Sequence, residues 1–279
     1  MVPLEDSTID ILKKASIGKG FGERELAKQC QCSLSAIQTF FKGNYSEALL
    51  ESLAFILDLN YQALRMHALG HSKPPKIKLN GLKGFQSEFP YSPQLTLIVN
   101  HYLVSDPVQK TAVLFDTGTS ASECLTYLEQ ENLNLKAICI THQHKDHTHA
   151  LDAYRSAFPE AIIYAARVFP KIAESKVIKL DTSYSFDRFT MYALATPGHT
   201  EDGLSFAISG LERPLILVGD ALFAHSQGGT HSQEAYRSAL HSNREQVLSL
   251  AGESVLAPGH GPLTTVAHEL KYNPFYAEN

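Results

Sequence analysis

The sequence predicts a layered α/β fold preceded by a small all-α unit. Three observations in its 279 residues predict it. Residues 7–70 place apolar side chains at helical spacing, interrupted by polar caps and glycines. After a proline-rich linker, short apolar runs alternate with amphipathic stretches, the pattern of strands and helices packed in layers. Several of those runs end abruptly in turns that carry histidine or aspartate.

Composition sets the bounds. A hydrophobic fraction of 44% is enough for a sizeable core, and the length suits one large unit plus a small one. The formal net charge of −5 gives no general attraction to nucleic acid or to an anionic membrane. Cys30, Cys32, Cys124 and Cys139 are scattered, which suits a reducing compartment and not a disulfide framework. The opening residues Met1 to Asp6 lack a basic start followed by an apolar core. No apolar run is long enough for a bilayer. A cytoplasmic protein is the expectation.

Residues 1–72 are expected to form the helical unit. Ile9, Ile11, Leu12 and Ile17 begin the first apolar face, and the Gly18–Gly22 stretch breaks it. A second helix starts at Glu23. Ser33 caps a third that Lys42-Gly43-Asn44 closes, and Ser46 caps a fourth. Tyr61 to Leu69 makes the last. Residues 73–76 are the linker, and 77–279 form the α/β unit. There, strands are expected at 95–104, 111–115, 135–140, 161–164, 190–195, 204–208, 215–218 and 254–257. Helices are expected at 120–133, 149–158 and 232–250, the last being the longest.

The chemistry is concentrated in Thr141-His142-Gln143-His144-Lys145-Asp146-His147, directly after the apolar run Leu135–Ile140. In extended backbone, side chains two apart point the same way. His142 and His144 can therefore grip one ion. Asp146 and His147 follow where the chain bends and can face a second. Imidazole and carboxylate are the donors of zinc, iron and manganese sites. Three further turns follow predicted strands: Thr196-Pro197-Gly198-His199, Gly219-Asp220 and Pro258-Gly259-His260-Gly261-Pro262. Each alone is weak, since polar residues are common in turns. His149, His225 and His231 lie near these positions in sequence and are read as supporting or surface residues; Lys145 is read as solvent-facing. Ala224-His225-Ser226-Gln227-Gly228 falls one residue short of a nucleophile elbow.

Together and in this order, Asp116-Thr117-Gly118, His142-x-His144-x-Asp146-His147, His199, Asp220 and His260 resemble the five motifs of the metallo-β-lactamase-fold hydrolases. The resemblance spans about residues 77–279 and implies an αββα sandwich with metals at one edge. It assigns His142, His144 and His199 to a first divalent ion and Asp146, His147 and His260 to a second. Asp220 bridges both, and Asp116 orients the ligand loop. Zinc is the expected metal, with iron or manganese as the other choices. Gly219–Gly228 and Pro258–Thr265, with Glu269 and Asn273-Pro274-Phe275, resemble the short bacterial glyoxalase II-like thioesterases. The longer glutathione-binding enzymes carry an extra C-terminal helical domain that the resemblance does not include.

Two ions about 3.5–4 Å apart can hold and acidify a water. The expected reaction is therefore hydrolysis of a thioester, or of another activated ester, by a metal-bridging hydroxide oriented by Asp146 and Asp220. A mononuclear iron persulfide dioxygenase would use the first set alone. A third reading starts from Glu25-Leu26-Ala27 and Ser33 to Phe40, which resemble a lambda-repressor-like helix-turn-helix. That resemblance implies that Ser35, Ala36, Gln38 and Thr39 face the major groove, in a DNA-binding regulator that uses the hydrolase fold as sensor. Charge argues against this, because residues 1–72 hold seven Lys or Arg and eight Asp or Glu. The bundle otherwise packs on the α/β unit or on a second copy in a homodimer. A small molecule is the expected substrate, with no membrane partner.

Overall fold

The structure, a computed structural model, describes residues 2–278 except 94 and 170–174. Residues 1 and 279, outer limits of the two expected units, lie outside the described residues. Five helices come first: α1 (Thr8–Lys19), α2 (Glu23–Gln29), α3 (Leu34–Phe41), α4 (Glu47–Leu57) and α5 (Tyr61–Ala68). Ser7, Ser33, Ser46 and Asn60 each accept a backbone N–H at the start of their helix. These caps satisfy donors that a helix end leaves unpaired. Gly18 remains inside α1, and the break falls at Gly20, which takes the left-handed cap at φ 73°.

Strands β1 (Leu82–Ser92), β2 (Leu95–Asp106), β3 (Thr111–Phe115), β4 (Asn134–Cys139), β5 (Ile162–Ala165) and β6 (Lys176–Val177) make one sheet in that spatial order. Helix α6 (Ser122–Gln130) joins β3 to β4, and α7 (Lys145–Thr148) and α8 (Leu151–Ala157) join β4 to β5. The second sheet holds β7 (Ser183–Phe186), β8 (Phe189–Ala195), β9 (Leu204–Ser209) and β10 (Leu215–Gly219). It continues through β13 (Val255–Pro258) to β14 (Thr264–Thr265), in the order β14-β13-β10-β9-β8-β7. Between β10 and β13 come the small hairpin β11 (Leu222–Phe223) and β12 (Ser226–Gln227), then α9 (Gln233–Ser242), which continues as a π-helical turn over Asn243–Leu248. The expected single helix over 232–250 is thus two segments. Helix α10 (Val266–Tyr272) closes the fold.

Alternation along the strands sets the layers. In β3, Val113 and Phe115 enter the apolar cluster between the sheets, while Ala112 and Leu114 enter the cluster under α6 and α8. In β10, Leu215 and Leu217 point into the sandwich, while Ile216 and Val218 point outward. The outward pair meets Tyr236 of α9, Phe275 and the N-terminal helices, whose Ile11, Leu12, Leu50, Leu53 and Leu57 belong to the same apolar cluster. The result is the αββα sandwich that the motifs implied. No helix among the described residues is long and apolar enough to cross a membrane.

Strand β1 escaped the sequence reading. Gly84 and Pro90 within it, and Gly81 just before it, obscure the alternation of Phe85, Ser87 and Phe89. It is an edge strand, where proline is tolerated.

Below the second sheet, the buried Glu269 carboxylate ties three elements together. It accepts from Thr264 Oγ1 at 2.6 Å, Asn273 Nδ2 at 2.8 Å and the His225 backbone N–H at 2.8 Å. Burial outweighs these three donors and pushes its carboxyl up to about 7. A raised carboxyl pKa favours folding fully below its unfolded value of 4.5, and the contribution disappears as pH climbs through about 7. Denaturant titrations at pH 5 and pH 8 should therefore show Glu269→Gln with a flatter pH dependence than wild type, by about 3 kcal/mol. Parallel curves for the two proteins would contradict this.

Candidate metal centre

Every turn singled out in the sequence arrives at one edge of the sandwich, at the ends of strands. His142 follows β4 and His144 caps α7 in extended conformation. Asp146 and His147 lie in the single turn of α7, so the bend expected after His144 is a helical turn. His199 follows β8, Asp220 follows β10, and His260 follows β13. The side chains form three overlapping groups: His142, His144 and His199; His142, His147 and Asp220; Asp146, His147 and His260.

Hydrogen bonds outside the cluster decide which nitrogen each ring turns inward. His147 Nδ1 bonds Asp116 Oδ2 at 2.9 Å, His199 Nδ1 donates to the Gly229 carbonyl at 2.8 Å, and His260 Nδ1 donates to the Ile98 carbonyl at 2.8 Å. In each ring Nε2 is left to face the centre. His144 Nδ1 stands 3.0 Å from His142 Nε2 and 3.1 Å from His199 Nε2. Asp220 sits among them. Its Oδ2 is 3.6 Å from His199 Nε2, 3.5 Å from His260 Nε2 and 3.9 Å from His142 Nε2, and its Oδ1 is 3.3 Å from His147 Nε2. Asp146 Oδ2 lies 3.4 Å from His260 Nε2 and 3.6 Å from His147 Nε2.

The donor set fits cations. Among the described residues His147 Nε2 and Asp220 Oδ1 are buried without a hydrogen-bond partner. A native protein rarely leaves such atoms unmade unless something else satisfies them. Imidazole lone pairs 3.0–3.1 Å apart also repel unless a proton or a metal lies between.

Charge tells the same story. Burial would raise the Asp220 carboxyl, but His260 and His147 outweigh it and hold it well below the ordinary range. Burial likewise opposes charging of His260, yet Asp220 and Asp146 bring it up to about 10. His147 is carried well above its usual value against burial by Asp220 and Asp116. Burial, with His147, pushes His142 well below; burial, with His199, lowers His144. Burial thus favours the neutral form of His142 and His144 that ligation requires, while the neighbouring carboxylates favour charge on His147 and His260.

Several supporting residues were not legible in the sequence. Thr141 donates to Asp116 through both N–H and Oγ1, each at 2.8 Å, locking Asp116 under His147. Asn100 donates from Nδ2 to the carbonyls of Pro258 at 3.1 Å and Gly261 at 2.7 Å, bracing the His260 loop. The adjacent polar pair Asn100-His101 between the apolar runs of β2 was the available signal. Gly259 passes so close that a Cβ there would lie 2.3 Å from Asp220 Oδ1 and 2.5 Å from His147 Cε1. Of the other polar residues, Lys145 and His149 are exposed. His225 is fully buried, 2.7 Å from His268 Nε2, in the hairpin between β11 and β12; the near-elbow motif is therefore a tight turn and not a strand-to-helix corner. Tyr102 donates to the Pro258 carbonyl, and Phe275 and Tyr276 are buried.

The fold and this cluster define a metal-binding α/β sandwich with its site at the strand ends. The chain belongs to the metallo-beta-lactamase superfamily, whose family model matches residues 96–260. A probable metallo-hydrolase of Streptococcus pyogenes is 30% identical over 201 residues, covering 63% of this chain and 84% of that protein. A hydroxyacylglutathione hydrolase of Haemophilus influenzae is 28% identical, covering 60% and 88%. The mitochondrial persulfide dioxygenase of mouse is 29% identical, covering 62% and 69%. Among solved structures, a protein crystallised in a di-iron-bound form shares 26% identity and a TM-score of 0.50, covering 68% of this chain and 99% of its own.

Removing the Asp116 carboxylate should loosen the rings it orients. Asp116→Ala is expected to weaken metal affinity about 10–100-fold, read by equilibrium dialysis against a competing chelator. An unchanged affinity would remove Asp116 from the support of the site.

Proposed function

We propose that the chain is a dinuclear metallohydrolase that cleaves a thioester or another activated ester such as a lactone. The observation that carries this is the position of Asp220. One carboxylate oxygen lies within 3.6 Å of inward nitrogens from both trios, His199 of the first and His260 of the second. That is the arrangement in which one residue is shared between two cations. The hydroxyacylglutathione hydrolase relative and the di-iron neighbour support the same reading.

His142, His144 and His199 would hold one ion and Asp146, His147 and His260 the other, with Asp220 common to both. Zinc suits the mixed imidazole and carboxylate donors, and so does iron. When bound, the ions supply Lewis acidity for the scissile carbonyl and for the attacking water. The chain's own part is orientation and proton handling. Asp146 and Asp220 present carboxylate oxygens to the centre, where they align the water and take its proton as the C–O bond forms. The C–S or C–O bond then breaks, and that proton can pass to the departing thiolate or alkoxide, giving an acid and a thiol or alcohol. No side-chain nucleophile is required.

Persulfide oxidation at one iron would leave Asp146, His147 and His260 without a task, so we place hydrolysis first. We assign no groove-reading role to α3, which exposes Ser35, Gln38 and Thr39 and carries no Lys or Arg.

Metal-loaded protein should hydrolyse members of a thioester and lactone panel. Activity should vanish on chelation and return with zinc or iron. Asp146→Ala should lower kcat at least about a hundredfold. Full turnover by stripped protein would rule the reading out.

A further inference from the structure

The turns that carry His199 and Asp220 are both fastened to one place, the junction where α9 passes into its π-helical segment. Two adjacent residues do the fastening. Ser242 Oγ donates to the Pro197 carbonyl at 2.9 Å, while the acceptor within its own helix, the Ala239 carbonyl, lies at 3.4 Å. Asn243 Nδ2 donates to the Ala221 carbonyl at 2.8 Å. Pro197 precedes His199 by two positions, and Ala221 follows Asp220 directly. Ser242 and Asn243 are both buried, so water does not compete for either bond. Gly198 brings the helix and the His199 turn together: at φ 146° it passes so near α9 that a Cβ there would overlap Ala239.

The β11–β12 hairpin holds the other side of both turns. Gly229, just past β12, offers its carbonyl to His199 Nδ1 at 2.8 Å. A Cβ on Gly228 would overlap the Asp220 carbonyl oxygen and lie 3.0 Å from His199 Cβ, so these segments are in direct contact. Asn243 braces this hairpin as well. Its Nδ2 also donates to the Tyr276 hydroxyl at 2.8 Å, and that hydroxyl donates to Gln227 Oε1 in β12. Ala221 before the hairpin and Gln227 within it are thereby joined through one buried amide. The Ala221 carbonyl can only accept, which fixes the way that amide faces. A regular α-helix turns successive side chains about 100° apart. Here the helix widens into a π turn from Asn243 onward, a feature that recurs at functional sites.

We propose that Ser242 and Asn243 are positioning residues for the metal centre, which together set the separation of His199 from Asp220, where Nε2 and Oδ2 stand 3.6 Å apart. This rests on the two-metal reading of the centre and adds the residues that fix its geometry from behind. Neither touches a reacting atom. Each holds the backbone on which a ligand side chain is mounted. Losing the Ser242 hydroxyl frees the His199 turn on its Pro197 side, while Gly229 still holds the ring. Losing the Asn243 donor frees the segment after Asp220 and leaves the buried Ala221 carbonyl without this donor. Asp220 is common to both trios, so Asn243 acts on both cations. Ser242 acts on the first alone, through His199.

The test uses full-length protein loaded with cobalt(II), whose visible absorption reports the geometry of its ligands. Asn243→Asp keeps the shape of the side chain and removes the donor. Ser242→Ala removes the hydroxyl, and Ser242→Thr returns it. In competition with a chelator, Asn243→Asp should weaken both cobalt affinities about tenfold or more. Ser242→Ala should weaken one of them several-fold and leave the other unchanged. Both variants should alter the visible bands, and Ser242→Thr should restore them. Ser249→Ala, which removes an exposed hydroxyl that donates to the Glu245 carbonyl of the same helix end, should keep the wild-type affinities and spectrum. On any thioester that the wild type turns over, Asn243→Asp should lower kcat more than it changes KM. Variants that melt earlier yet keep the wild-type spectrum and affinities would overturn the inference, as would a Ser249→Ala that behaves like Ser242→Ala. Where Asn243→Asp does not fold, the two Ser242 variants decide. A wild type that binds a single cobalt would end the two-metal reading; the positioning role then stands if Ser242→Ala weakens that one ion and falls if it does not.

Discussion

A fully buried carboxylate is the constraint on which the arrangement turns. Asp220 sits at the end of β10 with only 6% of its surface exposed, and burying an isolated anion is costly. The fold answers by surrounding it with His142, His147, His199 and His260, drawn from three separate strand-end segments of the sandwich edge. Three of those rings, His147, His199 and His260, are in turn fixed by outward hydrogen bonds to Asp116, Gly229 and Ile98. The strand ends of the two sheets must therefore meet closely at this edge. Gly259, which leaves no room for a side chain beside Asp220, shows how tight that meeting is.

The N-terminal helices extend the same logic outward. Their apolar residues share a cluster with the outer face of the second sheet, so they cover a surface that would otherwise face water. Lys14 in α1 links that cover to the site, because it grips Asp6 and the Gln227 carbonyl and lies over Phe223. Lys14 thus ties the helical unit to the hairpin beside the site.

Much of the site was legible in the sequence because its chemistry is local. A strand that ends in three histidines and an aspartate leaves little else for those residues to do. His199, Asp220 and His260 were weak alone and gained weight only from their order. Eight strands of the two sheets were read from apolar runs, while the short β6, β7 and β14 were too brief to show one. Strand β1 was missed because glycine and proline blur alternation, which an edge strand tolerates. The supporting residues were missed for a different reason. Asn100 and Thr141 act through tertiary contacts 25 to 161 positions away in the chain, and no spacing rule records such contacts. The π-helical end of the long helix was equally invisible, because its residues read as an ordinary helical continuation.

The central claim is that the strand-end loops cage two cations around one shared carboxylate. Anomalous diffraction from crystals of the metal-loaded protein tests it most directly. The account predicts two peaks about 3.5–4 Å apart, one among His142, His144 and His199, the other among Asp146, His147 and His260, with Asp220 between them. A single peak confined to the first trio at full metal saturation would contradict it.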